Sequence, residues 1–419
     1  MSIKKYCIFS GTNGWDEWRL ILRHWLTLRR HTDEAPVRHY ESAFARHIGA
    51  KYAVSFGAGR MALYAILEAL DIGEGDEVIV PAFTCVVVPN AVLYRNAKPI
   101  YVDIEPRFFN IDVSLIENHI TPRTKAIIAQ HTFGVPCDID GILKLAERYR
   151  LAVIEDCGHA QGGEYKGRKL GTFGHAAYFT TDHSKIMSTF LGGMVATNSD
   201  AILARVQRIQ SNAAWLSKTT HMRLLFSFLA EFVLYTPRLY RIARPLMSVL
   251  NRLHLTFFWR DELLTSKPTK YPYPSRLSTQ QALLGLMQLD KLRGNLEHRR
   301  EMAQTIERHL GWTDLTPEAI RQYAWLRYSF MVTDRAAIEK RLRRYFDLGV
   351  WFTSITGGRT KNYDEIGYSE GSCRTAEYVA NHIVNLPTHQ RIPISIVRDI
   401  LLKDGEWIRQ RFVRIGDAP

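Results

Sequence analysis

A lysine in a polar turn is the first residue whose setting suggests chemistry. The stretch TTDHSKIMSTFLGG, residues 180–193, places Lys185 after a run of polar residues and before Gly192 and Gly193. A lysine that is desolvated in such a turn has a lowered pKa, and its neutral amine can form a Schiff base with an aldehyde. The other interpretation is an ordinary surface charge, which describes most lysines.

A carboxylate and a histidine follow an apolar run further upstream. In LAVIEDCGHAQGG, Asp156 ends the run and His159 comes three residues later. Open α/β sheets bind ligands at the carboxyl ends of their strands, where a carboxylate can hold a cation or a protonated ring nitrogen. Each residue also has a structural interpretation, Asp156 as a helix N-cap and His159 as a core histidine.

A third constellation is a short turn of small residues. In SFGAGRMALYAIL, a strand leads through Gly57, Ala58 and Gly59 into a helix. The N–H groups at a helix start are unpaired and attract anions, and small residues let a phosphate approach them. A plain tight turn would have the same sequence, since neither a third glycine nor a Walker motif is present.

The elements around these residues alternate between strands and helices. From about residue 36 to 200, apolar strand-like runs alternate with segments of helical periodicity. This pattern predicts an α/β fold with a mostly parallel sheet and helices on both faces. Residues 279–312 predict one long amphipathic helix, and residues 320–419 fit a smaller α+β domain.

The helical stretch between them has a composition of its own. Residues 222–235 are nearly all apolar, and residues 236–259 place arginines on one side of a helix and apolar residues on the opposite side. A basic amphipathic helix can lie on an anionic membrane surface. The alternative is an insertion whose apolar face packs on its own protein or on a partner subunit. The arginines are Arg238, Arg241, Arg244 and Arg252, and the apolar residues are Leu239, Ile242, Leu246, Val249 and Leu253.

Composition sets outer limits on the function. The chain has 419 residues, 46% of them hydrophobic, which excludes fibrous and disordered classes. Its net charge of +13 fits nucleic acid, anionic lipid or phosphorylated small molecules as partners, or no partner at all. The five cysteines are widely spaced, which favours a reducing compartment and argues against a disulfide scaffold or a metal site. We expect neither a signal peptide nor a membrane-spanning helix.

A phosphate cradle, an acid for a ring nitrogen and a Schiff-base lysine together are what pyridoxal phosphate needs. In these motifs and their order, the sequence resembles the DegT/DnrJ/EryC1/StrS family of sugar aminotransferases, which are fold type I pyridoxal phosphate enzymes. The resemblance covers about residues 36–200 and 265–400. It is carried by VSFGAGRMALYAILEALDIGEGDEVIVPAFT, NAVLYRNAKPIYVDIEP, IEDCGHAQGGEYKG, YFTTDHSKIMSTFLGGMVAT and SRLSTQQALLGLMQLDKL, followed by VNLPTH.

The resemblance implies a role for each candidate residue. Lys185 would hold the cofactor covalently and move the proton, and Asp156 would keep the ring nitrogen protonated. His159 would lie near the ring and its phenolic oxygen. The phosphate would be bound by Ala58 and Gly59 through their N–H groups and by Thr180 in place of a serine.

The resemblance also implies an aspartate aminotransferase-like sheet of seven strands. We expect a large cofactor-binding domain, a smaller α+β domain and three other segments. The expected boundaries are a peripheral segment at 1–35, the large domain at 36–200, a basic amphipathic helical insertion at 201–270, a linking helix at 271–312 and the small domain at 313–419.

The sequence departs from the family pattern near the cofactor. Cys85 stands where the family often has an aromatic residue that stacks on the ring, and either Phe83 or another group could cover that face. Pro274 stands where an asparagine of the family reaches the phosphate of the neighbouring subunit, so Ser275 or Arg276 would have to substitute. Arg60 adds an extra cation beside the cradle.

These observations predict a homodimeric, cytoplasmic aminotransferase that binds no nucleic acid. It would move an amino group from an amino acid, such as glutamate, to a nucleotide-linked keto sugar for polysaccharide, glycolipid or antibiotic synthesis. Peripheral contact with the inner face of the membrane through residues 222–259 is a further expectation. Alternatives are a membrane-surface enzyme acting on a lipid-linked or non-sugar ketone and an inactive scaffold of the same fold. Sugar dehydration on this fold uses histidine at the lysine position, so Lys185 argues against it.

Overall fold

A computed structural model describes residues 4–9, 11–260, 263–348 and 352–417. The strands of the described residues are β1 (Tyr52–Phe56), β2 (Glu77–Pro81), β3 (Thr84–Cys85), β4 (Lys98–Val102), β5 (Thr124–Gln130), β6 (Ala152–Asp156), β7 (Glu164–Tyr165), β8 (Arg168–Lys169), β9 (Ala176–Thr180), β10 (Gly193–Thr197), β11 (Arg327–Met331), β12 (Thr356–Gly357) and β13 (Ile383–Pro387).

The helices of the same ranges are α1 (Trp15–Leu26), α2 (Glu34–Ile48), α3 (Gly59–Ala69), α4 (Val87–Leu93), α5 (Val113–Ile116), α6 (Ile139–Tyr149), α7 (Asp200–Asn212), α8 (Lys218–Leu234), α9 (Tyr240–Arg252), α10 (Thr279–Leu310), α11 (Pro317–Gln322), α12 (Arg335–Leu342), α13 (Arg374–His382) and α14 (Ile394–Arg409). Short 3-10 turns lie at Glu117–His119, Thr132–Gly134, Tyr363–Ile366 and Ile415–Asp417.

The centre of the fold is a seven-stranded sheet. Its strand order is β1-β10-β9-β6-β5-β2-β4. The pairs from β9 to β4 are parallel, whereas β10 runs antiparallel to both β9 and β1. The predicted α/β fold with a mostly parallel sheet is thereby confirmed.

Both faces of the sheet are covered, as the apolar strands predicted. Every residue of β2 is buried, which is typical of a parallel strand between two helical layers. Val78 and Val80 point into the core that contains α3, and Ile79 points into the core that contains α6. Successive residues therefore fill opposite layers.

The carboxyl-terminal part packs against this sheet through one long helix. Helix α10 begins after Ser278, whose hydroxyl accepts a hydrogen bond from the N–H of Gln281 at 3.3 Å, and it ends at Gly311 with a φ of 62°. Strands β11 and β13 form an antiparallel pair. Strand β12 pairs in parallel with β3 in a separate two-stranded sheet, which places Gly357 beside Cys85. The predicted helix at 279–312 is confirmed, and the domain boundaries remain predictions.

The helices of the insertion differ in how many of their apolar residues they bury. Helix α8 buries Leu225, Phe228 and Phe232 and packs on α1. Helix α9 buries only Tyr240, Ala243 and Met247. For α9, the alternative that its apolar stripe packs on the protein itself is therefore wrong. Among the described residues, no helix has both the length and the apolar composition needed to cross a bilayer.

Candidate active site

One pocket collects all the predicted site residues at the carboxyl ends of the sheet strands. It has a volume of about 310 Å³ and opens where β6 and β9 end and where β1 leads into α3. This is the edge at which open α/β sheets bind ligands. The predicted residues that line it are Ala58, Gly59, Asp156, His159, Thr180 and Lys185.

The turn before α3 has the geometry of an anion cradle. Ala58 is the N-cap residue of α3 in an extended conformation and has no side-chain acceptor for the N–H groups of the first turn. A Cβ on Gly59 would lie 2.5 Å from Cβ of Thr180, and one on Gly193 would lie 2.3 Å from the carbonyl oxygen of Ala58. The two glycines therefore let the start of α3 pack directly against β9 and β10, at a point where Ala58 and Gly59 line the pocket. This cradle fits a phosphate.

Asp156 offers a buried carboxylate to a cationic ring nitrogen. Its Oδ1 accepts a hydrogen bond from the N–H of Gly158 at 2.8 Å, and its side chain is 8% exposed. Burial raises the pKa of Asp156, although Tyr178, the Gly158 N–H and Lys185 act in the opposite direction. A protonated ring nitrogen would supply the positive charge that this carboxylate needs to stay ionised.

Lys185 lies in the pocket and not on the outer surface. Its backbone N–H donates to the carbonyl of Asp182 at 3.0 Å, which closes the turn after β9. Burial lowers the pKa of the amine, while Cys85, Asp182 and Asp156 raise it in part. Its place in the pocket argues against an ordinary surface charge, and the lowered pKa favours the neutral, nucleophilic amine.

His159 is held as a neutral ring beside the pocket. Its Nδ1 accepts a hydrogen bond from the N–H of Phe133 at 3.3 Å, and the two rings stack with centroids 5.7 Å apart. Burial, Lys185 and Arg327 keep the pKa of His159 well below its usual value. Because Nδ1 accepts, the ring proton lies on Nε2. The core-histidine and ligand interpretations both fit this placement.

Several wall residues were not assigned a role from the sequence. Tyr178 points to the same face of β9 as Thr180, so strand alternation could have identified it. Trp259 donates from Nε1 to the carbonyl of Gly57 at 3.2 Å. It comes 202 residues later in the chain, and no local signal indicates this contact.

His183 was part of the quoted turn but had no assigned function. It lines the pocket and stacks on Phe9 with ring centroids 5.2 Å apart. Its Nδ1 lies 2.8 Å from each carboxylate oxygen of Glu231, which is buried on α8. The insertion therefore contributes a charge partner to the active-site wall.

The departures from the family pattern have structural consequences. Cys85 lines the pocket, and its Sγ donates to the carbonyl of Gly357 at 3.5 Å. Phe83, the suggested replacement for the stacking aromatic, is fully buried among Phe109, Phe133 and Phe352.

The two side chains suggested to replace the asparagine both bind within their own chain. Ser275 is buried and its hydroxyl lies 3.4 Å from the sulfur of Met61. Arg276 donates to Glu34 at 2.7 Å and lies over the ring of Trp215. Both contacts fix the chain segment beside the cradle.

A buried acid–imidazole pair stands behind Asp156. His131 Nε2 lies 3.2 Å from Glu155 Oε2. The Sγ of Cys157 lies within 4.8 Å of a ring nitrogen of His131 and of a carboxylate oxygen of Glu155. The carboxylate of Glu155 also accepts N–H groups from three residues of the following loop, and His131 Nδ1 accepts the N–H of Cys137. We interpret this network as a support that fixes the end of β6.

The chain that forms this pocket is similar to proteins of a known family. The family model described as the DegT/DnrJ/EryC1/StrS aminotransferase family matches residues 22–226 and 251–401. GDP-perosamine synthase of Caulobacter vibrioides is 44% identical over 171 residues, which are 41% of this chain and 46% of that protein. The match thus spans about half the length of that relative.

Other relatives match over most of the chain. UDP-N-acetyl-3-dehydro-alpha-D-glucosamine 3-aminotransferase of Acidithiobacillus ferrooxidans is 30% identical over 354 residues, covering 84% of this chain and 82% of that protein. The crystal structure of an aminotransferase from Psychrobacter cryohalolentis has a TM-score of 0.72 at 26% identity, covering 95% and 98% of the two chains. The predicted resemblance, enzyme class and pyridoxal phosphate requirement are confirmed. The chain belongs to the DegT/DnrJ/EryC1/StrS aminotransferase family, a family of pyridoxal phosphate enzymes.

Proposed function

We propose that this protein transfers an amino group from glutamate to a ketone of a nucleotide-linked sugar. The observation that carries the proposal is the meeting of Lys185, Asp156 and the cradle at Ala58 and Gly59 in one pocket. A nucleotide sugar as substrate is supported by the names of two relatives, because one name contains a GDP-linked sugar and the other a UDP-linked sugar. The product would enter polysaccharide, glycolipid or antibiotic synthesis.

Each residue performs a separate task in this proposal. The N–H groups at Ala58 and Gly59, with the hydroxyl of Thr180, bind the phosphate of the cofactor. Asp156 would pair with its ring nitrogen. Lys185 would bind its aldehyde carbon with loss of water and, once the amine of the donor has displaced it, would move a proton as a base and an acid. When bound, pyridoxal phosphate accepts the electron pair released at the carbon that loses or gains the amino group.

The pocket also has to exclude water and accept two substrates in turn. Trp259 and Phe9 provide apolar walls, while Arg60 provides positive charge beside the cradle. A cation in this position suits the carboxylates of an amino acid and the diphosphate of a nucleotide sugar.

The test is a transfer assay with labelled donor. Purified enzyme loaded with pyridoxal phosphate is given ¹⁵N-glutamate or ¹⁵N-glutamine with a panel of GDP-, UDP- and TDP-linked keto sugars. We expect the label in one amino sugar nucleotide, read by mass. If the enzyme converts glutamate to its keto acid but labels none of the sugars in the panel, the nucleotide-sugar substrate would be contradicted. The assignment as an aminotransferase would still hold.

The alternatives make different predictions in the same assay. A dehydratase would release water from the sugar without incorporating nitrogen, and Lys185 argues against it because that chemistry replaces the lysine by histidine. An inactive scaffold would bind no cofactor covalently. An enzyme for lipid-linked or non-sugar ketones would convert those compounds and leave the nucleotide sugars unchanged.

We propose in addition that two chains form a homodimer and that the enzyme works in the cytoplasm, in contact with the inner face of the membrane. The family resemblance supports pairing, since it implies that each site lies between two subunits. Light scattering of the purified protein tests the dimer. A mass equal to one chain of 48.2 kDa would contradict it.

A further inference from the structure

Exposed apolar side chains are concentrated in one stretch of the described chain. Twelve large hydrophobic residues are exposed, and eight of them lie between residues 239 and 264. Single exposed leucines are normal on a protein surface, whereas a contiguous group marks an interaction site. The eight are Leu239, Ile242, Leu246, Val249, Leu253, Leu255, Leu263 and Leu264.

Helix α9 divides its surface into three stripes. Tyr240, Ala243 and Met247 are buried against the protein. The apolar stripe at Ile242, Leu246 and Val249, continued by Leu253 at the helix end, has exposures of 55, 40, 48 and 61% and is rotated roughly 120° around the helix from the buried stripe. The third stripe, on the far side of the apolar one, carries Arg241 and Arg252, and Arg238 lies in the turn just before the helix; all three are exposed.

This arrangement corrects the expected membrane segment. The prediction covered residues 222–259, but α8 buries its apolar residues against α1 and the body of the protein. The apolar surface that is free to contact a membrane is therefore on α9 and at Leu253 and Leu255, which follow it. We call the set of Ile242, Leu246, Val249 and Leu253 the apolar ridge.

A cluster of cations lies beside α9. Lys5, Arg241, Arg244, Arg343 and Arg344 line a cleft of about 360 Å³, together with Tyr240 and Asp347. Asp347, the one carboxylate of this lining, pairs with Arg244 at 3.1 Å. The five cations and one carboxylate give the cleft a net charge of +4. Such a cleft attracts phosphate groups.

We propose that α9 lies in the plane of an anionic phospholipid surface, with the apolar ridge among the acyl chains and the arginines at the phosphates. Ridge and arginines are neighbouring stripes of one helix, which is the pattern of interfacial helices. A second copy of this chain fits less well, because a two-fold contact through this face would bring the arginine stripes of the two copies close together. Lipid phosphates neutralise the same charges.

The membrane contact proposed above is thereby confined to helix α9 and to anionic phospholipid. It depends on the surface of the chain and not on the substrate, so a vesicle assay without turnover tests it separately from the aminotransferase proposal. Failure in the vesicle assay leaves the transfer assay informative, and the reverse also holds.

The experiment is flotation of the full chain, loaded with pyridoxal phosphate, with vesicles of phosphatidylcholine containing roughly one third phosphatidylglycerol. We expect the protein to float with these vesicles and to remain in the dense fraction with pure phosphatidylcholine. About 0.5 M NaCl should reduce the bound fraction. The variants Ile242→Ser/Leu246→Ser and Arg238→Glu/Arg241→Glu should each bind on the order of tenfold more weakly.

Matched variants control for surface changes elsewhere. Leu402→Ser removes an apolar side chain that is 70% exposed on α14, and Arg293→Glu reverses a charge on α10 whose side chain is 90% exposed. Both should float like the unchanged protein, and all variants should keep the same circular dichroism. Absence of flotation, equal flotation of the α9 variants, or a ridge variant that turns an oligomer into a single chain would each overturn the proposal.

Discussion

His183 Nδ1 lies 2.8 Å from both carboxylate oxygens of Glu231, and this pair joins the turn that carries Lys185 to helix α8 of the insertion. The two residues are 48 positions apart in the chain. Trp259 makes a second such connection through Gly57. The insertion is therefore part of the active-site wall as well as the support of the exposed helix α9.

The pair predicts a pH-dependent stability. Burial opposes a charged ring, but Asp182 and Glu231 raise the pKa of His183 to about 9 from its ordinary 6.5. A raised folded-state pKa stabilises the fold fully below pH 6.5, and that contribution is lost as the pH rises through 9. Glu231→Gln should therefore lower the free energy of unfolding by about 2–4 kcal/mol near neutral pH.

Urea unfolding on both sides of this pH window measures the effect. The difference between Glu231→Gln and the unchanged protein should shrink above pH 9, where His183 is neutral in both. Glu301→Gln, an exposed residue of α10, is the control and should change little at either pH. A difference that is the same across the window would show that Glu231 acts through packing and not through the charge of His183.

The cradle predicts a selective loss of phosphate binding in Gly193→Ala. The new Cβ would stand 2.3 Å from the carbonyl oxygen of Ala58 and 2.5 Å from the backbone nitrogen of Gly59, so the cradle must open. We expect pyridoxal phosphate to bind on the order of tenfold or more weakly, while pyridoxal, which lacks the phosphate, loses little.

A helical glycine provides the matched control for this substitution. Gly294 lies in α10, and a Cβ placed there meets no atom within 4 Å. Gly294→Ala should keep both affinities and add up to about 1 kcal/mol of stability. If Gly193→Ala weakened pyridoxal and pyridoxal phosphate equally, the cradle would not be the phosphate site.

Local sequence patterns were enough to place much of the pocket. Asp156 ends an apolar strand and Ala58 precedes a helix, and both facts follow from hydrophobic periodicity and turn residues within a few positions. Because the carboxyl ends of parallel strands share one edge, a correct fold class brings these distant motifs together. The same reasoning gave the long helix α10.

Other features depend on contacts that no local pattern contains. The approach of Glu231 to His183 follows from how α8 docks, and the approach of Trp259 to Gly57 follows from the path of the chain after α9. Periodicity predicted that Leu246 and Arg241 lie on different sides of one helix. It could not predict which side faces the protein, since that is decided by the neighbouring helices.

Asp156→Asn separates a catalytic role from a structural one. Burial raises the pKa of Asp156 in the folded chain above its value in the unfolded chain, so this carboxyl group costs stability near neutral pH when no cofactor is bound. The neutral amide should therefore leave the cofactor-free protein equally or more stable to heat near neutral pH. Transfer should nevertheless fall on the order of 10²-fold, because an amide does not keep the ring nitrogen protonated.

Thermal unfolding of the cofactor-free protein and the rate of transfer with saturating pyridoxal phosphate measure the two effects. Asp182→Asn is a suitable comparison, since this neighbouring carboxylate also lines the pocket and accepts from the backbone and hydroxyl of Ser184. A loss of activity in Asp156→Asn that only parallels a loss of stability would indicate a structural residue.

Lys185→Ala should abolish covalent attachment of the cofactor. The half-buried amine has a lowered pKa and lies in the same pocket as Asp156 and the cradle, so it is the nucleophile placed for the aldehyde. We expect the unchanged protein to show an absorption band at about 410–430 nm and, after borohydride reduction, a peptide carrying the cofactor at Lys185. The variant should lack both and lose more than about 10³-fold in transfer rate, whereas Lys403→Ala, which changes an exposed lysine of α14, should keep all three. Retention of the reduced cofactor on another lysine in Lys185→Ala would refute the assignment of residue 185.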